Sequence, residues 1–202
     1  MELSREQGFA YYLMQGTLLR GRALAEQGHG EEGIAQMCQG LAAYRATGTE
    51  TGQPPFLAWL AEAHKKVGQA EEGFTALAEA LAIVNKTGER WYEAELYRLK
   101  GELTLQKLSV ASSQLSVTNP QSPTPNPHAE AEACFQKAIE IARRQQAKSL
   151  ELRASMSLSR LWQQQGKKEE ARQMLAEIYN WFTEGFDTKD LQEAKALLAE
   201  LT

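Results

Sequence analysis

Apolar residues recur along the whole chain with the spacing of amphipathic helices, and small residues mark the same position in each period. Four segments align, beginning at Gly28, Gly68, Asn126 and Gly166. In each, a small residue follows five positions after the start, a large apolar residue comes four later, and a further small or apolar residue three beyond that. Offsets of four and three share one helical face, where small side chains let another helix approach closely. Each segment is therefore predicted to be a helix. The four small residues are Gly33, Gly73, Ala131 and Ala171.

A second helical stretch precedes each of these segments and sets the repeat length. Gly21, Ala61 and Gly101 follow one another at equal intervals, whereas the interval from Gly101 to Ser159 is longer. The excess equals the length of "SVASSQLSVTNPQSPTPN" (109–126), a stretch without a charged residue. Such a composition cannot bury enough apolar surface to fold by itself. The stretch is therefore predicted to be a flexible insertion between the two helices of the third repeat, and not a domain boundary.

Helix pairs this short cannot bury their apolar faces alone, so the fold predicted is an all-α superhelix of four stacked pairs plus a C-terminal helix. The first helices are predicted at about 5–27, 54–67, 90–108 and 149–165. The second helices are predicted at about 31–47, 70–86, 128–146 and 168–183. Residues 1–202 then form a single repeat domain with repeats at about 5–47, 54–86, 90–146 and 149–183, a flexible insertion at 109–127 and a terminal helix at 189–201.

Charge and composition narrow the class of function. The formal net charge of -4 lacks the basic excess typical of nucleic-acid-binding surfaces, so no nucleic-acid partner is predicted. No apolar run reaches the roughly 20 residues needed to span a membrane, and none is predicted to do so. The two cysteines are predicted to be small buried thiols, and a reducing cytoplasm is the expected compartment.

No pattern of catalytic or metal-binding residues stands out. His29, His64 and His128 lie far apart, and neither H-x-x-x-H nor C-x-x-C spacing occurs. The G-x-x-x-x-G-K-[ST] loop that cradles nucleotide phosphates is also absent. Paired glutamates recur at the start of the second helices, where they favour the positive end of the helix dipole. We therefore expect no enzyme activity, no cofactor and no metal.

Small–large–small spacing in helix pairs resembles the tetratricopeptide repeat, although that repeat is usually shorter, at about 34 residues. The longer unit of this chain is more similar to the tetratricopeptide-type regions of large bacterial signal-transduction ATPases, the MalT-like group. Three stretches resemble the C-terminal end of bacterial predicted ATPases that often carry an adenylate/guanylate cyclase domain. They are "GERWYEAELYRLKGEL" (88–103), "AEACFQKAIEIARRQQAKSLELRASMSLSRLW" (131–162) and "IYNWFTEGFDTKDLQEAKALL" (178–198).

This resemblance implies a non-catalytic scaffold in bacterial signal transduction, binding a protein or peptide and acting on a nucleotide-binding or cyclase catalytic domain. It also implies that the first helices line a concave groove. A ladder of cations along that groove could bind carboxylates of an extended peptide. The alternative is a solvated face on which Arg98 and Glu102 pair with each other. The predicted groove residues are Gln15, Arg22, Glu26, Glu62, Lys65, Arg98, Glu102, Arg153 and Arg160.

Two other functions remain open at this stage. One is a sensor that holds a small effector, with contacts from Trp59, His64, Tyr97 or Trp162. The other is oligomerisation through the terminal helix, whose apolar face could equally cap the last repeat. That face comprises Leu191, Ala194, Leu197, Leu198 and Leu201.

Overall fold

A computed structural model of the protein describes residues 9–49, 51–114 and 126–202. These ranges contain nine α-helices and no strand, which confirms the predicted all-α class with four helix pairs and a C-terminal helix. The helices are α1 (Ala10–Glu26), α2 (Gly30–Ala46), α3 (Gln53–Lys66), α4 (Ala70–Thr87), α5 (Glu93–Gln114), α6 (Pro127–Arg144), α7 (Lys148–Gln164), α8 (Lys168–Tyr179) and α9 (Lys189–Glu200).

The chain divides into two compact units, here called the first unit (Met1–Tyr92) and the second unit (Glu93–Thr202). The first unit contains the pairs α1–α2 and α3–α4, and the second contains α5–α6, α7–α8 and α9. The prediction that all repeats form one domain stays a prediction.

In the first unit, small residues bring α1 and α2 into close contact at the predicted positions. A Cβ atom added to Gly33 would lie 2.5 Å from the carbonyl oxygen of Gly21, and one added to Gly21 would lie 2.7 Å from that of Gly33. Real Cβ atoms essentially never come so close, so only glycine fits at this crossing. The corresponding positions of the next pair, Ala61 and Gly73, are also buried.

In the second unit the same positions surround a large aromatic side chain. Phe135 of α6 is fully buried, and a Cβ atom added to Gly101 of α5 would lie 2.5 Å from its ring. In the following pair, the Ser159 hydroxyl donates a hydrogen bond of 3.2 Å to the Ala171 carbonyl. A small residue therefore stands at both helix crossings.

The terminal helix α9 packs against α7 and α8 and closes this end of the second unit. Four of its apolar side chains are at most 4% exposed, and they join a core cluster with Leu152, Met156 and Leu175. This face caps the last repeat, which is one of the two roles left open by the sequence, and oligomerisation through the terminal helix stays a prediction. These four residues are Leu191, Ala194, Leu197 and Leu201.

Helix α1 begins at Ala10, and residues 5–8 of the predicted first helix lie outside the described residues. The C-terminal ends of two other helices differ from those predicted. Helix α5 continues to Gln114, so the insertion does not begin at residue 109. Residues 109–114 include neither proline nor glycine, and nothing in them stops a helix. Residues 115–125 of the insertion lie outside the described residues. Helix α8 ends at Tyr179 instead of about 183, and the chain continues as a tighter turn in which the amides of Trp181 and Phe182 donate to the carbonyls of Ile178 and Tyr179.

Candidate functional site

The predicted groove residues of the first unit lie on α1 and α3, and we call this surface the first-helix face. The guanidinium of Arg22 stands 4.5 Å from the centre of the Trp59 ring, a cation–π contact between the two helices. Next to it, Lys66 of α3 forms an ion pair with Glu26 of α1. Arg22 and Glu26 therefore already have partners in the unbound unit.

The remaining members of this face are half-buried. Gln15 donates a hydrogen bond of 2.7 Å to the hydroxyl of Tyr11, one turn earlier on α1. Glu62 and Lys65 lie on α3 with part of their surface exposed. The first-helix face thus brings five predicted residues onto two adjacent helices, with cations and anions mixed. It does not form a continuous basic ladder.

In the second unit, Arg98 lies within the protein and pairs with buried acids. Glu95 is 2% exposed, and its two carboxylate oxygens accept hydrogen bonds of 2.8 and 2.7 Å from the Arg98 guanidinium. The other terminal nitrogen of Arg98 donates to Glu102. Arg98 therefore pairs with Glu102 as the alternative predicted, but in the protein interior and not on a solvated face, and the more buried carboxylate of Glu95 joins the pair.

Helix α7 completes this cluster, which we call the Glu95 network. Arg153 contributes a second guanidinium 3.0 Å from Glu95, and it also lies 3.6 Å from the Asp190 carboxylate. The Ser157 hydroxyl donates a hydrogen bond of 2.9 Å to Glu102. The network therefore ties α5 to α7, and its arginines face carboxylates of their own chain.

The charge balance of the network keeps Glu95 ionised. Burial by itself would raise the pKa of this carboxyl, because a charge is poorly solvated inside the protein. The charge and hydrogen bonds of Arg98, together with the charge of Arg153, outweigh burial and hold the pKa below its ordinary value. Glu102 opposes them, as a like charge must.

Arg160, the last predicted groove residue, is exposed. Its guanidinium lies 3.2 Å from the Glu193 carboxylate of α9. Within the second unit, the predicted residues therefore separate into a buried group at Glu95 and an exposed pair at the terminal helix.

The first unit contains an open cleft between α2 and α4, with α3 at its base, which we call the α2–α4 cleft. The sequence did not indicate this cleft. It consists of two adjoining depressions of about 320 and 270 Å³ that share Arg45 and Glu79. Apolar side chains form the floor of the smaller depression. They are Leu41, Leu57, Leu60 and Ala76.

Polar groups surround this floor. Arg45 of α2 donates a hydrogen bond of 2.5 Å across the cleft to Glu79 of α4. His64 Nδ1 lies 2.8 Å from the Gln69 side-chain oxygen, and Glu72 lies exposed at the same end. Cys38 also lines the cleft, where desolvation raises the pKa of its thiol while the charge of Arg45 lowers it. An apolar floor with an ion pair across the cleft and further polar groups at its edges suits recognition of a protein segment.

Each unit contains two of the residues proposed for an effector pocket. Trp59 and His64 lie on α3, where Trp59 contacts α1 and His64 lines the α2–α4 cleft. In the second unit, Tyr97 and Trp162 pack against one core cluster, and the Trp162 indole donates a hydrogen bond of 3.0 Å to Glu132. The aromatic pair in the second unit is therefore part of the packing between repeats.

In the described part of the chain, no group of three or more histidine, cysteine, aspartate or glutamate side chains is arranged so that it could hold a metal ion. In the same ranges, none of the helices combines the length and apolar character required to cross a bilayer. Both cysteines are free thiols, Cys38 exposed and Cys134 buried. The prediction of a buried thiol therefore fails for Cys38.

Comparisons with known proteins give weak likenesses. No family model matches the sequence, and neither does any curated protein. Among solved structures, the TPR-like repeats of a kinesin light chain-like protein from Podosopora anserina align with 19% identity and a TM-score of 0.39, covering 94% of this chain and 97% of that one. A variant of those repeats aligns with 21% identity and a TM-score of 0.40, covering 83% and 93%. At these values the likeness carries no argument about function.

Proposed function

We propose that the protein is a non-catalytic helical-repeat scaffold that binds a segment of a partner protein in the α2–α4 cleft. The observation that carries this proposal is the make-up of the cleft, with a leucine-rich floor and charged residues at its edges. The floor favours an apolar anchor residue, and the exposed carboxylate of Glu72 favours a cation beside it. The occupant is therefore a peptide segment with an apolar residue next to a basic one.

Only some of the predicted groove residues remain part of this proposal. On the first-helix face, Arg22 and Lys65 remain candidates for contact with a partner, because each keeps exposed surface. Arg98 is buried and Arg153 is half-buried with its guanidinium on Glu95, so we assign neither of them a direct contact with a partner. In the second unit, these two predicted cations therefore serve the protein's own packing.

A displayed library of random peptides, selected on the intact protein, tests the cleft. We expect the selected peptides to share an apolar residue beside a lysine or arginine. We also expect them to bind the wild-type protein but not the Thr75→Arg variant, in which the arginine side chain fills the cleft. Thr75 lines the smaller depression with its side chain exposed, so the substitution leaves the core intact. The matched control is Ala133→Arg, at the equivalent exposed position of α6, which adds the same charge outside the cleft.

Binding that survives Thr75→Arg but is lost in the double variant Arg22→Glu/Lys65→Glu would move the site to the first-helix face. Binding that both variants leave unchanged would overturn the proposal for either surface. Circular dichroism of every variant confirms that the helices are retained.

We further infer a role in bacterial signal transduction, in the cytoplasm, with a nucleotide-binding or cyclase catalytic domain as the partner. Support comes from the sequence resemblance of residues 88–103, 131–162 and 178–198 to the C-terminal end of bacterial predicted ATPases. Titration of a purified catalytic domain of that class with this protein, followed by calorimetry and by nucleotide turnover, tests it. Absence of both heat and a change in turnover would refute this role and leave the cleft proposal standing.

A further inference from the structure

An apolar stripe runs along the outer side of α1. Its residues are Tyr12, Gly16, Leu19 and Ala23, separated by four, three and four positions. Tyr12 is 62% exposed and Leu19 is 54% exposed, Ala23 is exposed as well, and Gly16 is half-buried. Alternating offsets of four and three are the spacing with which two helices pack side by side. The stripe thus has the form of a helix–helix interface, and no helix of the first unit covers it.

The same positions are covered in the later repeats. In α3, Trp59 corresponds to Leu19 and packs on Arg22. Phe56 corresponds to Gly16, and its ring centre lies 5.4 Å from that of Tyr44 on α2. In the remaining first helices the equivalent residues of Gly16, Leu19 and Ala23 are all buried. They are Leu96, Leu99 and Leu103 in α5, and Ala154, Ser157 and Leu161 in α7. This position on a first helix is therefore one that the fold uses for packing on another helix.

We propose that the stripe pairs with the same stripe of a second copy, with the two α1 helices antiparallel. In the register that places Leu19 opposite Gly16 of the partner, Tyr12 lies opposite Ala23. Each large side chain then meets a small one, and the stripe is complementary to itself. Self-complementarity is what a two-fold interface requires, since the same patch serves both copies.

The terminal helix of a second copy does not offer an alternative apolar partner for this stripe. The apolar face of α9 is used within the second unit, and its exposed residues include Gln192, Lys195, Ala196, Ala199 and Glu200, with no large apolar side chain among them. Head-to-tail stacking of α1 on α9 would place Leu19 against a mainly polar surface with only two alanines to contact. Pairing of two stripes buries apolar surface on both sides instead.

The expected dimer is weak. Four residues on each copy form a contact smaller than the standard interface of about 1,600 Å² of total buried surface, and such contacts are typical of transient association. We expect a dissociation constant on the order of 10–100 µM. Sedimentation equilibrium of the full chain over about 5 to 500 µM covers the transition.

Leu19→Glu is expected to raise the dissociation constant by about 30-fold or more, because dimerisation would bury an unpaired carboxylate. The matched control is Val110→Glu, which places the same charge at an apolar residue of α5 that is 47% exposed. It should leave the dissociation constant unchanged. A chain that stays monomeric over the whole concentration range, or a dimer that Leu19→Glu does not weaken, overturns the proposal.

The register has its own test. Ala23→Tyr places tyrosine against tyrosine and should weaken the dimer, whereas the double variant Tyr12→Ala/Ala23→Tyr restores a large side chain opposite a small one. Recovery of the original dissociation constant by the double variant supports the antiparallel pairing. If the double variant is as weak as the single one while its helical circular dichroism is unchanged, the antiparallel register is refuted.

Discussion

Replacing Glu95 with glutamine is expected to destabilise the second unit by about 3–5 kcal/mol, the cost typical of breaking a buried ion pair from one side. The carboxylate is 2% exposed and lies between the guanidinium groups of Arg98 and Arg153. Glutamine has nearly the same size, so the substitution removes the charge and creates no cavity.

The magnitude follows from the contacts of this carboxylate. Its oxygens accept hydrogen bonds of 2.8 and 2.7 Å from Arg98, and Arg153 lies 3.0 Å away. A glutamine keeps one acceptor and turns an amide donor toward a guanidinium, which is also a donor. Hydrogen bonds to charged groups contribute about 1.5–3 kcal/mol each, so the loss of two of them agrees with the range above.

Urea unfolding followed by far-ultraviolet circular dichroism measures the change in free energy of unfolding. Hydrogen exchange at the amides of α5 and α7 assigns the loss to the second unit. Arg160→Gln is the control, because its exposed pair with Glu193 should contribute only about 0–1 kcal/mol.

A loss below about 1 kcal/mol for Glu95→Gln, or one equal to that of the control, would refute the reasoning. It would mean that the arginines find water or other acceptors once the carboxylate is gone. Loss of amide protection confined to the first unit would contradict it as well.

Three further outcomes are expected. The pKa of Glu95 is lower in the folded protein than in the unfolded chain, so the ionised carboxylate stabilises the fold. This stabilisation is complete above the unfolded glutamate pKa of about 4.3, and it is lost as the pH falls through the folded pKa. The urea midpoint should therefore drop less at acid pH in Glu95→Gln than in the wild type. Gly33→Ala should destabilise the protein by about 1–3 kcal/mol, because the alanine Cβ would clash with the Gly21 carbonyl oxygen, and this cost exceeds the gain from alanine's higher helix propensity. A rise in the thermal unfolding midpoint of this variant would contradict the close crossing of α1 and α2. Phe135→Ala should cost about 3–5 kcal/mol in urea unfolding, and a cost below about 2 kcal/mol would show that the core around Gly101 collapses into the space.

The helices and their crossings could be predicted from the sequence because both depend on local spacing. Gly21 and Gly33 stand at helix positions that only a small residue can fill, and this requirement leaves a regular period of small residues in the sequence. The end of α5 could not be placed, because residues 109–114 are compatible with either helix or loop.

The binding residues were harder to predict, because side-chain partners depend on packing between helices. The spacing of Arg98 and Glu102 is visible in the sequence, but the burial of Glu95 depends on α7, which lies far along the chain. The α2–α4 cleft could not be predicted, because its lining comes from three helices whose packing the spacing along one helix does not specify. The opposite charges of Arg45 and Glu79 on successive second helices were the available signal.

The helices of the α1–α2, α3–α4 and α7–α8 pairs meet after a very short stretch of chain, as Gly21 and Gly33 do across a single turn. The entropy lost in closing such a loop is small, and helical proteins with low contact order fold in microseconds to milliseconds. Ribosomes add about 5–20 residues per second, so the 17 residues of α2 alone take on the order of a second to synthesise. The α1–α2 hairpin can therefore form during translation, before the later repeats have left the ribosome.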